Sequence, residues 1–369
     1  MNKAKIINKS IALEDLTIDE ALFLYNNFNL QELSIIANNI RFKKHPTKNV
    51  SWIIDRNINI TNVCISQCLF CNFCRKPNNV DSYITTIEEY KEKIKELIEI
   101  GGNQILLQGG FNPKLDLEYY EQLFKELKNV FPILKLHALG PPEIVFLSKK
   151  SGISNKEVLA RLQKAGLDSL PGAGAEILVD RVRSIVSPAK CSSQEWLSVM
   201  LDAFKLGMTT TATMMFGHLE TIEERIMHIL SIRDTQKLKP QNSKGFIAFI
   251  AWPFQSKNTR LNERYKIDNQ VNSSEYIKMV AISRILLNNI DNIQASWLTV
   301  GNNTAKICLH AGANDLGSIM IEENVVASAG ISNKLSKDDM ERLIIDAGFT
   351  PVRRNQQYEL MLIDRIDNN

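Results

Sequence analysis

From about residue 52 onward, short β-rich apolar runs alternate with amphipathic helical patterns, the signature of repeated βα units around a parallel sheet. Eight runs read as strands: Ile58–Thr61, Gln104–Leu107, Ile133–Leu139, Leu167–Leu170, Thr209–Met215, Gly245–Ala251, Ile293–Leu298 and Ala311–Leu316. The helices between them carry their own punctuation. Thr86-Ile-Glu-Glu89 is a capping-box pattern, Tyr90, Ile94, Leu97 and Ile98 follow at helical spacing, and Gly101-Gly102 ends the run. Ser154-Asn-Lys-Glu157 opens a second helix with Val158, Leu159 and Leu162 on one face, and Ser273 or Ser274 starts a third. Eight such units over about 300 residues fit an α/β fold of the (βα)8 TIM type, whose usual size is about 250 residues before insertions. A doubly wound open sheet is the alternative. Residues 1–50 read as an N-terminal helical extension (Thr17–Tyr25, Leu30–Asn38), and 51–369 as one barrel domain with a C-terminal tail.

The composition supports a buried core and little else. Hydrophobic residues make up 44% of the 369, and 44 basic against 41 acidic residues leave a net charge of +3, which points to neither a nucleic-acid nor a membrane surface. The N-terminus lacks an apolar run of signal-peptide length, and no segment approaches the roughly 18 apolar residues of a membrane span. A cytoplasmic protein is the expectation, and there a cysteine cluster argues for metal rather than disulfides.

Four of the six cysteines do cluster, as Cys64, Cys68, Cys71 and Cys74. The first three are spaced by three and then two residues, just beyond the first expected strand, at the end of a TIM barrel that carries active sites. A [4Fe-4S] cube held by only three thiolates leaves one iron open to a ligand. Cys74 could be a fourth ligand of an electron-transfer cluster, half of a zinc site, or a packing residue beside the site. A structural zinc calls for a second Cys or His pair, and none of the five histidines pairs with another at ligand spacing. The spacing and its place after a first barrel strand resemble the radical S-adenosylmethionine (SAM) superfamily, whose cluster binds SAM through the open iron.

On that resemblance Phe70 stands where an aromatic packs near the adenine, and Gln108-Gly109-Gly110 looks like the glycine-rich motif that bonds the methionine amino group. After the fourth strand, Glu176, Arg181 and Arg183 are a carboxylate and guanidinium set suited to the amino-acid end or ribose of SAM, or else surface ion pairs. His137 on the third strand and His218 after the fifth are placed for substrate or cofactor, or for structural hydrogen bonds. Trp252-Pro-Phe254 fits an apolar wall over a radical, or core packing. Asp315, with Glu322 and Glu323 nearby, is the candidate substrate-contacting or proton-accepting group.

Longer stretches make the resemblance specific. NVCISQCLFCNF, QILLQGGFNP, LHALGPPEI, AGLDSLPGAGAEILVDRVR, TTATMMFGHLET, IQASWLTVG and GANDLGSIMIEENVVASAG are similar to the cyclic dehypoxanthinyl futalosine synthase family of the futalosine route to menaquinone. The resemblance implies a [4Fe-4S] cluster on Cys64, Cys68 and Cys71, with SAM as co-substrate. It further implies a 5'-deoxyadenosyl radical taking hydrogen from ribose C4' of dehypoxanthine futalosine, ring closure onto the benzoate, and a donor such as flavodoxin or ferredoxin. Ile60 and Cys74 depart from the family pattern, which leads one to expect an aromatic and a tyrosine there. Aminofutalosine synthase, of the same fold, and a non-catalytic iron-sulfur carrier are the alternatives.

Overall fold

The structure, a computed structural model, describes residues 2–268, 271–322, 324, 328 and 334–361. Among them ten strands join in one wholly parallel sheet. They are β1 (Asn49–Ile53), β2 (Asp55–Asn59), β3 (Gln104–Gln108), β4 (Lys135–Ala138), β5 (Ser169–Leu170), β6 (Thr209–Phe216), β7 (Phe246–Pro253), β8 (Asn292–Ala295), β9 (Asp315–Ser318) and β10 (Thr350–Arg353).

The sheet closes on itself because β1 and β2 are halves of one extended stretch, separated by Ile54 alone. Successive peptide groups of a strand face opposite neighbours. Ser51 N–H donates to Asn314 O at 3.0 Å and Ile53 O accepts from Ile319 N at 3.3 Å, both on the β9 side. Trp52 O accepts from Arg354 N at 2.9 Å on the β10 side, and Ile60 N–H donates to Gln108 O at 2.7 Å on the β3 side. Thus β9 and β3 flank the same stretch from opposite edges. Eight strand positions make a (βα)8 barrel, with β10 added beside β1.

All eight expected strands are present, with shifts that have local causes. The expected run Ile293–Leu298 stops at Ala295, because Ser296 N–H turns to the Tyr276 hydroxyl (2.8 Å) and the indole of Trp297 donates to Ser318 O (2.9 Å). The helix Ser273–Leu286 is capped by Asn272, one residue before the expected serines, its side chain accepting from Glu275 N. Strand β10 was not expected: it contains Pro351, which suits only the edge position that it occupies.

Outer helices bury an apolar face against the strands, and Ser273–Leu286, covered from outside as well, is buried on every side. In the helix Ile87–Glu99 the Thr86–Glu89 capping box forms both of its bonds, and Tyr90, Ile94 and Leu97 are fully buried, each apolar side chain contributing about 1.5–3 kcal/mol. Three N-terminal helices, Lys3–Ala12, Ile18–Asn27 and Leu30–Lys44, pack on this ring. The last lies along Ser273–Leu286, and the Tyr25 hydroxyl meets Glu275 at 2.5 Å.

Candidate active site

The barrel encloses a cavity of about 450 Å³, a size that takes a small-molecule substrate, running from the thiols at its C-terminal mouth to the strand starts. Cys64, Cys68 and Cys71 all line it, as does Cys74, and none of them is in a disulfide.

One backbone bond within the thiol loop and contacts from three other segments shape it. Cys64 N–H donates to Arg75 O (3.0 Å), Ile65 N–H to Phe111 O (3.1 Å) and Leu69 N–H to Val186 O (2.8 Å), while Leu261 N–H donates to Leu69 O (2.8 Å). The Arg260 guanidinium donates to the carbonyls of Gln67 and Cys68 at 2.7 and 3.1 Å. Ser66 Oγ lies between two sulfurs, 2.9 Å from Cys64 Sγ and 3.4 Å from Cys68 Sγ. Phe111 N–H also donates to Cys64 Sγ at 3.3 Å. Gly110 makes that approach possible: a Cβ there would lie 2.3 Å from Val63 O and 2.5 Å from Cys64 Cβ.

The donor set fits an iron-sulfur cluster. Three thiols line one cavity and a backbone N–H is directed at Cys64 Sγ, the donor chemistry of a thiolate-held cluster. Burial pushes the Cys68 thiol up to about 11. Binding of a metal must therefore displace its proton. Among the described residues no three His, Cys, Asp or Glu groups converge on a single ion.

Gln108, Gly109 and Gly110, at the end of β3, line the cavity beside the thiols, and so do Phe70 and Glu176. Glu176 is 6% exposed, sits at φ +43°, and accepts from Lys190 Nζ at 2.8 Å. Lys190 also lies 5.4 Å over the Phe70 ring. Burial disfavours its charge, but Cys68, Glu176 and Glu143 outweigh that and hold the ammonium well above its usual range. Glu143, pushed by burial to about 7, lines the same wall, with Oε2 unpartnered.

Other expected residues are engaged elsewhere. Arg181 is bidentate to Glu224 (Nε to Oε1 at 2.6 Å) and about half exposed. Arg183 donates to the carbonyls of Gly174, Ala175 and Cys191, bracing the loop that carries Glu176. His218 is buried outside the lining, its Nε2 3.1 Å from Met215 O and its Nδ1 3.0 Å from Glu220. Asp315 is fully buried at the start of β9: Arg354 Nε donates to Oδ2 at 2.6 Å, and the Ser51 hydroxyl donates to the same oxygen at 2.5 Å. Glu322 pairs with Arg56 and Lys93, and Glu323 lies outside the described residues. His137 does face the cavity; its Nδ1 is 2.5 Å from Ser169 Oγ, and burial lowers it to about 4, so the ring is neutral. Trp252 and Phe254 are in the wall.

Sequence reasoning passed over Lys190, Glu143 and Gln104. Gln104 had a signal: it shares the face of Gln108 by the two-residue period of β3. Lys190 had none, since only the tertiary fold brings it to Cys68.

Residues 58–232 match the family model described as the radical SAM superfamily, and residues 243–365 the one described as the CofH/MqnC C-terminal region. The chain is 40% identical to the cyclic dehypoxanthine futalosine synthase of Halalkalibacterium halodurans, over 96% of this chain and 94% of that one. It is 38% identical to the 5-amino-6-(D-ribitylamino)uracil--L-tyrosine 4-hydroxyphenyl transferase of Archaeoglobus fulgidus, over 85% of this chain and 89% of that one. Among solved structures it resembles methylornithine synthase (PylB), with a TM-score of 0.69 at 20% identity over 94% of this chain and 97% of that one. The hydrogenase maturase HydG gives 0.73 at 16% identity over 95% and 75%. At these identities the likeness is one of fold.

Proposed function

The chain belongs to the radical SAM enzymes, in the family that contains the cyclic dehypoxanthine futalosine synthases, and from there we propose that it closes the spirocyclic ring of dehypoxanthine futalosine with Cys64, Cys68 and Cys71 as cluster ligands. The reading rests on one observation above all: near-full-length similarity to such a synthase in a chain whose three motif thiols line one barrel cavity. Cys64, Cys68 and Cys71 would hold a [4Fe-4S] cluster, which with SAM would supply the hydrogen-abstracting radical chemistry that the ribose C4' position calls for.

The protein's own groups bind and shield. Gly110 lets the backbone after β3 close against Val63 and Cys64 at the cavity edge, while Glu176, held by Lys190, offers a fixed carboxylate for an ammonium or ribose hydroxyls. Trp252 and Phe254 exclude water and stray hydrogen donors from the cavity. The reducing electron comes from a small redox protein such as flavodoxin or ferredoxin.

The 38% identity to the ribitylaminouracil transferase supports a second reading, radical transfer of a tyrosine side chain to that uracil. Anaerobically reconstituted enzyme, given SAM, reductant and each substrate set in turn, separates the two. The cyclase reading expects a product lighter than dehypoxanthine futalosine by two hydrogens, together with 5'-deoxyadenosine. Consumption of tyrosine and the uracil instead would overturn it.

A further inference from the structure

The end of the cavity opposite the thiols is built for hydroxyl groups. Gln104 lies four residues before Gln108 on β3, about 13 Å deeper along the strand. Its Nε2 donates to Asp55 Oδ2 at 3.0 Å, which leaves Oε1 buried without a partner in a residue only 5% exposed. Gln356 brings a second orphan, Nε2, in a residue 8% exposed. Both side chains line the cavity, as do the neutral His137 and its partner Ser169. Two buried amide atoms without partners in a protein interior imply a ligand that completes them.

The charges exclude a carboxylate there. Among the described lining residues the cations are Lys190 and Arg354. Lys190 is at the thiol end, and Arg354 is neutralised by Asp315 through Nε (2.6 Å) and Nη2 (3.3 Å). Asp55 adds another carboxyl to the floor. A floor with no spare cation among the described residues disfavours an anion and matches hydroxyls, which donate to Gln104 Oε1 and accept from Gln356 Nε2.

We propose that the barrel floor around Gln104 and Gln356 is a polyol subsite that takes the hydroxylated sugar end of the substrate, leaving its carboxylate end above. This deepens the cyclase reading but does not stand or fall with it, because ribose and a ribityl chain offer the same chemistry. The test is equilibrium binding to the reconstituted enzyme with SAM, for the unmodified chain and for Gln104→Met and Gln356→Leu, each checked for an unchanged cluster spectrum. The probes are dehypoxanthine futalosine, its 2'-deoxy and 3'-deoxy analogues, and its carboxylate methyl ester. Each variant weakens the parent compound and the ester alike, by about tenfold, one hydrogen bond's worth. The penalty shrinks toward unity with one of the deoxy analogues. Unchanged affinity in both variants, or a penalty that disappears on the ester instead, overturns the subsite. If the unmodified enzyme binds 5-amino-6-(D-ribitylamino)uracil in place of the futalosine compound, the cyclase reading fails and the same variants are read against 5,6-diaminouracil, which lacks the polyol. Binding of neither polyol overturns the inference.

Discussion

Lys190 Nζ lies 2.8 Å from Glu176 Oε1 inside the barrel wall, with the Cys68 thiolate position and Glu143 as its other electrostatic neighbours. Both side chains are largely buried, 15% and 6% exposed. Removing one partner of such a pair strands the other, at a cost of about 3–5 kcal/mol. Lys190→Met is expected to lower stability in urea by about that amount and to weaken SAM binding. The double variant Lys190→Met with Glu176→Gln should regain most of the stability but not the SAM affinity, and a double variant no more stable than the single one would contradict the pairing.

The thiols make separable predictions. Alanine at Cys64, Cys68 or Cys71 should abolish the iron-sulfur absorption of the reconstituted protein. Cys74→Ala should retain a full complement of iron, although Cys74 also lines the cavity and its thiol is hydrogen-bonded to Cys71. Iron analysis on the four variants decides it: equal loss in all would make Cys74 a ligand.

Asp315→Asn tests a structural role. The carboxylate is fully buried and held by Arg354 and Ser51, so the substitution should destabilise the fold by about 3–5 kcal/mol while the cluster spectrum of the folded fraction stays normal. Asp315→Asn with Arg354→Met should recover stability. A stable single variant with a lost chemical step would return Asp315 to the reaction.

Acid should destabilise the protein through its buried histidines. His228 is lowered to about 3 and His137 to about 4, in both cases chiefly by burial. Below pH 6.5 the unfolded chain takes up protons that the folded one refuses, so stability falls with pH through the window from about 6.5 to 3–4 and levels off beneath it. Glu143, raised to about 7, opposes this between pH 4.5 and 7, where the folded state holds the extra proton. His228→Asn keeps an acceptor for Leu178 N–H, which donates to His228 Nδ1 at 2.9 Å, and should flatten the acid limb by about 1.4 kcal/mol per pH unit. An unaltered slope in pH-dependent urea titrations would rule His228 out as its source.

The barrel was legible because each strand carries its own apolar run and each helix its own cap, as at Thr86 and Ser154. The thiol ligands and Gln108-Gly109-Gly110 were legible because they are contiguous with strand ends. Asp315 shows where that reasoning stops. Its sequence neighbourhood suits a catalytic carboxylate, but its partner Arg354 comes from the C-terminal tail, 39 residues away, and no local pattern announces the pairing. Lys190 and Gln356 enter the cavity by the same kind of distant packing. His218 and Arg181 sit at plausible strand and loop ends, yet neighbouring carboxylates, Glu220 and Glu224, hold them outside the cavity.

The most direct measurement is a single anaerobic turnover with dehypoxanthine futalosine carrying deuterium at C4'. Ring closure by this enzyme predicts deuterium in the released 5'-deoxyadenosine and a cyclic product without it. Unlabelled 5'-deoxyadenosine, or an adenosyl group retained in the product, would contradict the account.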